Sequence, residues 1–253
     1  MAVSLELIKE LRETTGIATM SCKKALDETG GDMEKAIEML RKKGELKSAE
    51  RAERSATEGV IAIAQGSGKA GMVKLACETD FVARNEDFVK AAGALAERAL
   101  KEGDAFDSSS EASNLNIKMG EKIAVAEVAV ISSPIIGTYV HSNKKIGVMV
   151  GLDGGDTIRA NDVAMHIAAS KPEVISPDEI ASEKVEKEKE IWRALLKTEG
   201  KPEAIWDNIM KGKEKKFREE RALLTQAFVK NPDQTVAQYL ENAKVVAMKR
   251  FAL

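Results

Sequence analysis

The chain has 253 residues, of which 43% are hydrophobic and 32% are charged, and its net charge is −2. This composition is that of an ordinary globular protein of one or two domains, and it excludes a global field that would attract nucleic acid or an anionic membrane. No apolar run approaches the roughly 18 residues of a membrane-spanning helix, and the first six residues, MAVSLE, do not form a signal peptide.

Residues 4–43 predict three short helices in succession. A glycine pair, Gly30-Gly31, ends the second helix with a left-handed exit, and Asp32 caps the third. The pattern resembles the three-helix fold of ubiquitin-associated domains. Residues 41–54 then contain six basic and three acidic residues. We interpret them as a solvated connecting helix; the alternative is a positive segment that steers the protein toward an acidic partner surface.

From Thr57 the apolar period changes from helical to two, which predicts strands. The runs Val60 to Ile63 and Met72 to Cys77 flank a glycine-rich turn and predict a hairpin. A long helix is then predicted from Val82 to Lys101. The next predicted elements are a loop from Glu102 to Asn114, a short helix from Ile117 to Glu121 and a strand from Ala124 to Ile131.

A second hairpin, from Ile136 to Leu152, has a polar turn at residues 141–145. A helix from Val163 to Ala169 follows, with Asn161 or Asp162 as its cap. The order strand, strand, helix thus occurs twice and predicts two related α+β subdomains with antiparallel strands. The last predicted elements are a short helix from Pro232 to Leu240 and a strand from Lys244 that returns to the sheet.

Residues 178–221 contain twelve acidic and twelve basic residues with only sparse apolar positions between them. These positions form a narrow, heptad-like stripe, which favours a protruding antiparallel helical hairpin with its turn at Gly200-Lys201-Pro202. The hairpin either folds back on its own core or binds a second copy or a partner. The stripe consists of Ala181, Val185, Trp192 and Leu195 on one arm and Trp206, Met210, Phe217 and Leu224 on the other.

The segment between the strand that ends at Cys77 and the following helix carries the most informative residues. Thr79 or Asp80 can cap that helix, which accounts for a small polar residue there. A cap does not account for Phe81, because only 4% of the chain is aromatic and this ring lies at the tip of an element. The ring is either a hydrophobic staple into its own helix or a wedge that enters a pocket of a partner.

The run from Glu78 to Phe88, ETDFVARNEDF, resembles the most diagnostic motif of the elongation factor Ts family. A second motif of this family matches LRETTG from Leu11 to Gly16 together with KKAL from Lys23 to Leu26. The two motifs stand in the order and at the spacing that the family shows. The similarity extends from about Val3 to the last residues and therefore covers nearly the whole chain.

The resemblance implies an α+β fold of four parts: a three-helix module with its linker, two related core subdomains and a coiled-coil hairpin. In this family the hairpin projects and is associated with dimerisation in some members, which makes a homodimer or a 2:2 complex through it a hypothesis here. Many members continue past Leu253 with a helix that contacts the partner, and that contact is not expected from these residues. The parts span residues 1–54, 55–135, 136–177 with 229–253, and 178–228.

The resemblance also implies a function, which is guanine-nucleotide exchange on elongation factor Tu during translation elongation. Asp80 and Phe81 would insert between two helices of the GTPase domain and displace magnesium, with Thr79 and Val82 shaping the tip. The partner would bind GDP, GTP and Mg²⁺, so the chain itself needs no cofactor or metal. The further contacts implied are Arg12, Met20 and Lys23 to the nucleotide-binding domain, and His141, at a Tyr-x-His position, to another domain.

The residues alone leave two other classes open. The three-helix module could make the protein an adaptor for ubiquitin-like or nascent-chain partners. A thiol enzyme that uses Cys77 is a third hypothesis, although neither Cys77 nor His141 nor His166 belongs to a triad-like arrangement. Cys22 and Cys77 also lack metal-site spacing and a disulfide framework, which indicates reduced thiols in a cytoplasmic protein. We therefore expect no covalent catalysis, and no nucleic-acid or membrane partner.

Overall fold

A computed structural model describes residues 3–15, 17, 19–51 and 53–253 of the chain, with residues 44–51 given by their backbone alone. Three helices open the structure and enclose a small apolar cluster that includes Leu11, Cys22 and Leu26. This arrangement confirms the predicted three-helix module. The helices are α1 (Leu5–Thr15), α2 (Thr19–Glu28) and α3 (Met33–Arg51).

The connecting segment is helical, since α3 continues to Arg51. This agrees with the interpretation of residues 41–54 as a connecting helix. The steering hypothesis depends on the charged side chains of this segment, and those of residues 44–51 lie outside the described residues. Gly16 and Ala52 also lie outside them.

The first half of the core is a three-stranded antiparallel sheet in the order β1-β2-β3. Helix α5 covers one face of this sheet, where Phe88 and Leu95 pack against Val73 and Leu75. In chain order the elements are β1 (Glu58–Gly66), β2 (Lys69–Cys77), α4 (Asp80–Ala83), α5 (Glu86–Glu102), α6 (Ser109–Met119) and β3 (Ala124–Ser132).

The second half repeats this plan with a sheet in the order β4-β5-β8 and helix α7 on one face. The twofold occurrence of strand, strand and helix is confirmed, and so is the α+β class; the boundaries between the four predicted parts stay a prediction. In chain order the elements are β4 (Ile135–Val140), β5 (Ile146–Asp153), α7 (Thr157–Ser170), α8 (Ser182–Thr198), α9 (Trp206–Arg221), β6 (Ala227–Phe228), β7 (Asn231–Thr235), α10 (Val236–Leu240) and β8 (Lys244–Ala252).

The two sheets pack face to face through a shared apolar cluster. Ile61 and Met72 of the first sheet meet Met149 and Phe251 of the second. Gly147 allows this close approach, because a Cβ at that position would lie 2.4 Å from a methyl group of Ile61. The core therefore has four layers, α5, sheet, sheet and α7, and alternate residues of β2 and β5 enter different clusters.

The hairpin of α8 and α9 has its own apolar cluster, separate from the sheet clusters. Val185, Trp192, Met210 and Phe217 are buried in it, as the stripe predicts, and Trp192 meets Phe217 edge to face at 5.6 Å. The separate cluster favours a hairpin with its own core over one folded onto the sheets, and its protrusion stays a prediction. Three predicted positions differ: Ile180 and Leu196 are buried where Ala181 and Leu195 are exposed, and Leu224 packs against the cluster of the second sheet.

Two predicted elements in the first half have different bounds. The helix predicted from Val82 to Lys101 is two helices, because Asn85 has extended backbone angles and its side chain caps α5 by accepting from Asp87 N at 2.9 Å. The loop predicted up to Asn114 is wrong from Ser109 onward, where α6 begins. Helix α6 has no fully buried residue, and only Leu115 and Met119 pack against the cluster of the first sheet, so its apolar period is too weak to signal a helix.

Two predicted helix starts in the second half are also wrong. Helix α7 begins at Thr157, and its cap is Asp156, which accepts from Arg159 N at 2.8 Å. The predicted caps have other partners: Asn161 accepts from Thr138 N, and Asp162 binds Lys230 and Tyr239. The helix predicted from Pro232 begins only at Val236, after the strand β7.

His166 is fully buried in α7. Its Nδ1 accepts from Val229 N at 3.2 Å, so Nε2 must carry the proton that it shares with Gln226 Oε1 at 2.9 Å. Burial lowers the pKa of His166, and the hydrogen bond to Gln226 opposes this in part. The neutral imidazole thus ties α7 to the chain around β6.

We predict that the free energy of unfolding decreases as the pH falls below about 6.5. The unfolded state binds more protons than the folded state between the lowered pKa of His166 and the ordinary value of about 6.5. The contribution of His166 is therefore complete above that ordinary value and is lost as the pH falls through the folded-state value. Urea unfolding across this range measures the slope.

The variant His166→Gln should be less stable than the wild type and show a flatter dependence on pH. His141→Gln, a change at an exposed histidine, should keep the wild-type slope. An unchanged slope in His166→Gln would show that another group is responsible.

Candidate functional site

A single helical turn, α4, projects directly after β2. Thr79 is its N-cap, with φ −122° and ψ 155°, and the Thr79 hydroxyl accepts from Val82 N at 3.4 Å. Of the two predicted caps, Thr79 rather than Asp80 is used, but whereas Asn85 caps the long helix α5, Thr79 caps this short turn. This cap positions the next residues at the outermost point of the turn.

Phe81 presents its ring to solvent, and 82% of the residue is exposed. A hydrophobic staple would bury the ring against its own helix, so that interpretation of Phe81 is wrong. Val82 instead points inward and packs against the cluster beneath α5. Phe81 is thus free to contact another molecule, whereas Val82 holds the turn to the core.

The carboxylate of Asp80 lies beside Phe81 and pairs with Arg84, with 2.9 Å between Oδ2 and the guanidinium. The Arg84 side chain is largely exposed and that of Asp80 is partly exposed, so the pair contributes about 0–1 kcal/mol and is easily exchanged for another partner. This tip, residues Thr79 to Val82, therefore offers an aromatic ring and an acidic group side by side.

Glu121, from the segment between α6 and β3, fastens the base of this turn. Its Oε2 accepts from the backbone N–H of Glu78 at 3.1 Å and of Thr79 at 3.0 Å, and its Oε1 accepts from the Thr79 hydroxyl at 2.5 Å. Sequence reasoning missed Glu121, because its partners lie 42 and 43 residues earlier and no local pattern links them.

A groove of about 840 Å³ separates the tip from the turn of the second hairpin. Its walls include Thr79, Asp80 and Phe81 on one side and residues 142–145 on the other. The hairpin turn is fixed to β1 by an ion pair of Lys145 with Glu58 at 2.6 Å and by a bond from Ile61 N to Lys144 O at 2.8 Å. The tip and the hairpin turn are therefore held next to each other as the two walls of one groove.

His141 is exposed at the start of the same hairpin turn. Its Nδ1 accepts from Ser142 N at 2.8 Å, and its ring lies 6.2 Å from that of Tyr139. The structure thus brings His141 to the hairpin beside the groove, although the side chain does not line the groove itself.

The three candidate residues of the N-terminal module lie outside this groove. Arg12 on α1 and Met20 and Lys23 on α2 are all exposed. Met20 and Lys23 share a shallow depression of about 450 Å³. The predicted site residues therefore divide into two surfaces, one at the tip and hairpin turn and one on the three-helix module.

Cys77 ends β2 directly beneath the tip and is fully buried. Burial raises the pKa of its thiol to about 12, and the carboxylates of Glu121 and Glu58 act in the same direction. The thiol donates to Thr79 O at 3.2 Å. A nucleophilic cysteine needs a lowered pKa and access to solvent, so Cys77 is a packing residue.

Within the part of the chain that the structure describes, no cluster of three or more His, Cys, Asp or Glu side chains could hold a metal ion. Over the same residues, no helix combines the length and the apolar character needed to cross a bilayer.

Comparison with known proteins connects this geometry to a family. The family model "Elongation factor TS" matches residues 78–253, a range that begins at the base of the tip. Curated relatives named elongation factor Ts include one from Teredinibacter turnerae, 44% identical over 99% of this chain and 90% of its own length. Another, from Deinococcus deserti, is 41% identical over 98% of this chain and 99% of its own length.

We predict that neither cysteine of the native protein reacts with iodoacetamide at about pH 8, because Cys22 and Cys77 are buried and the Cys77 thiol is protonated. Mass spectrometry should find no adduct on the folded chain and two adducts after unfolding in urea. A rapid single adduct on Cys77 of the folded protein would contradict this and revive the thiol-enzyme hypothesis.

Proposed function

The chain belongs to the elongation factor Ts family of translation elongation factors, and we propose that it promotes the release of GDP from elongation factor Tu. The observation that carries the proposal is the exposure of Phe81 on a turn that Thr79 caps and that Glu121 holds at its base. An exposed aromatic on a rigid turn is a suitable anchor for a pocket in a partner. The protein acts in the cytoplasm and catalyses no covalent step of its own.

The mechanism is a difference in affinity. A factor that binds the nucleotide-free partner more tightly than the GDP-loaded partner must, by linkage, weaken GDP binding by the same ratio. Phe81 enters between two helices of the GTPase domain and supplies the apolar contact. Asp80, whose surface pairing with Arg84 costs little to break, places a negative charge toward the magnesium site of the partner.

Loss of that magnesium ion removes the largest positive charge that holds the diphosphate. GDP, GTP and Mg²⁺ are bound by elongation factor Tu in this scheme, and the chain contributes only side chains. Thr79 and Val82 set the conformation of the tip, the first as its cap and the second by packing inward.

The remaining contacts enlarge the interface. Arg12, Met20 and Lys23 present two cations and a flexible apolar side chain toward the nucleotide-binding domain. His141 contacts another domain from the hairpin turn. Because that turn is fixed to β1 beside the tip, His141 and Phe81 engage the partner at a constant separation.

The variant Phe81→Ala should slow factor-promoted GDP release by roughly thirtyfold, corresponding to the loss of about 2 kcal/mol from a central aromatic anchor. Its free energy of unfolding should stay within about 0.5 kcal/mol of the wild type, because the ring is exposed. Release of a fluorescent GDP analogue from elongation factor Tu, with excess unlabelled GDP, measures the first quantity.

Ile158→Ala is the matched control, since Ile158 is 73% exposed on α7 and lies outside the groove. It should release GDP at the wild-type rate. Near wild-type release with Phe81→Ala would remove the wedge from the mechanism, and no acceleration by the wild-type protein would remove the exchange function.

We further propose that the hairpin joins two copies of the chain, alone or in a 2:2 complex with elongation factor Tu. Ile191 and Leu195 lie one turn apart on α8 and are 53% and 47% exposed, facing away from the hairpin's own cluster. Two apolar residues at this spacing form a stripe that a second helix can cover.

Leu195→Lys should shift the sedimentation equilibrium of the protein toward the monomer, because it places a charge in the proposed contact. Leu5→Lys, at an exposed leucine of α1, should leave the equilibrium unchanged. A wild-type chain that sediments as a monomer alone and as a 1:1 complex with elongation factor Tu would contradict the proposal.

A further inference from the structure

Two short segments that are distant in the sequence bind each other reciprocally at the base of the tip. The carboxylate of Glu121 accepts the two backbone N–H groups and the hydroxyl described above. In return, Glu78 Oε1 accepts from the backbone N–H of Lys122 at 2.6 Å. Each segment thus satisfies backbone donors of the other with a charged acceptor, and such hydrogen bonds are the stronger kind.

The position of these bonds follows from the end of the sheet. The pairing of β1 with β2 ends at Glu58 and Cys77, so the N–H groups of Glu78 and Thr79 have no partner in the ladder. Both groups are partly buried and need an acceptor. Glu121 supplies it to both at once through a single oxygen.

The second oxygen of Glu121 determines how Thr79 caps α4. Because the Thr79 hydroxyl donates its proton to Glu121, a lone pair of the same oxygen is left to accept from Val82 N. Glu121 therefore selects the orientation of the cap side chain. Without this acceptor, the hydroxyl could rotate and the N–H of Val82 would lose its defined partner.

Helix α4 needs such support, because four residues cannot form a stable helix by themselves. Only Ala83 of the turn is buried, and the exposed ring of Phe81 does not help to hold the turn in place. The order of the tip in the free protein therefore depends on the tertiary bonds at its base together with the inward packing of Val82.

We propose that Glu121 is a positioning residue for nucleotide exchange, which holds Asp80 and Phe81 in the conformation that enters the partner. This inference rests on the proposed function. Fixing backbone in one conformation costs conformational entropy, so a tip that is already ordered avoids this cost on binding.

The test compares Glu121→Gln with the wild type in two assays. Glutamine has nearly the same size, but its amide nitrogen would face a donor where a carboxylate oxygen accepted one. We expect factor-promoted GDP release to slow about tenfold. In the free protein, hydrogen exchange at the amides of Glu78, Thr79 and Val82 should become faster, which reports the loosened tip without any partner.

Two further variants separate positioning from a general loss of stability. Glu121→Asp keeps a carboxylate and should retain more exchange activity than Glu121→Gln. Glu97→Gln, the same change at an exposed position of α5, should behave as the wild type in both assays. Urea unfolding verifies that each variant is folded.

The double variant with Phe81→Ala tests whether Glu121 acts through the ring. Under the proposal, Glu121→Gln adds little further loss once Phe81 is alanine, because both changes remove the same interaction. Full additivity would overturn it, as would wild-type GDP release or unchanged hydrogen exchange in Glu121→Gln. If the wild-type protein does not accelerate release at all, the proposed function fails, while the hydrogen-exchange result still decides whether Glu121 holds the tip.

Discussion

The contact between the two sheets is the constraint on which the rest of the structure depends. Gly147 has no side chain, so Ile61 and Met72 reach the backbone of β5 and the sheets close on one another. This packing brings the turn of the second hairpin against the start of β1. It thereby places two segments about sixty residues apart in the chain, around Phe81 and His141, on one continuous surface.

Much of the fold was predictable because apolar periods report which faces are buried. The apolar run from Met72 to Cys77 predicted a strand, and the structure shows why the run is nearly continuous: alternate residues enter two different apolar clusters, so both faces of the strand are buried. The same logic failed where the apolar face is narrow. Helix α6 has no fully buried residue and packs on the first sheet's cluster only through Leu115 and Met119, so its first half was predicted as a loop.

Other differences come from hydrogen bonds that a pattern does not contain. The apolar period continues past Asn85, yet its side chain caps a new helix and separates α4 from α5. On α8, the buried leucine is Leu196 and not the neighbouring Leu195. Because two leucines are adjacent, the apolar pattern does not tell which of them is buried. For the candidate site, the sequence predicted the tip residues from Thr79 to Val82. It did not predict Glu121, because the contacts of Glu121 with the tip arise only in the folded chain.

The energetics of the tip explain why its base matters as much as its aromatic residue. Burial of a Phe side chain on a partner stabilises a complex by about 1.5–3 kcal/mol. Ordering even two residues of a mobile turn would cost a similar amount, about 2–4 kcal/mol. An exposed ring on a disordered turn would then contribute almost nothing to binding. The exposure of Phe81 is useful only because the bonds of Glu121 and the inward packing of Val82 have already ordered the backbone beneath it.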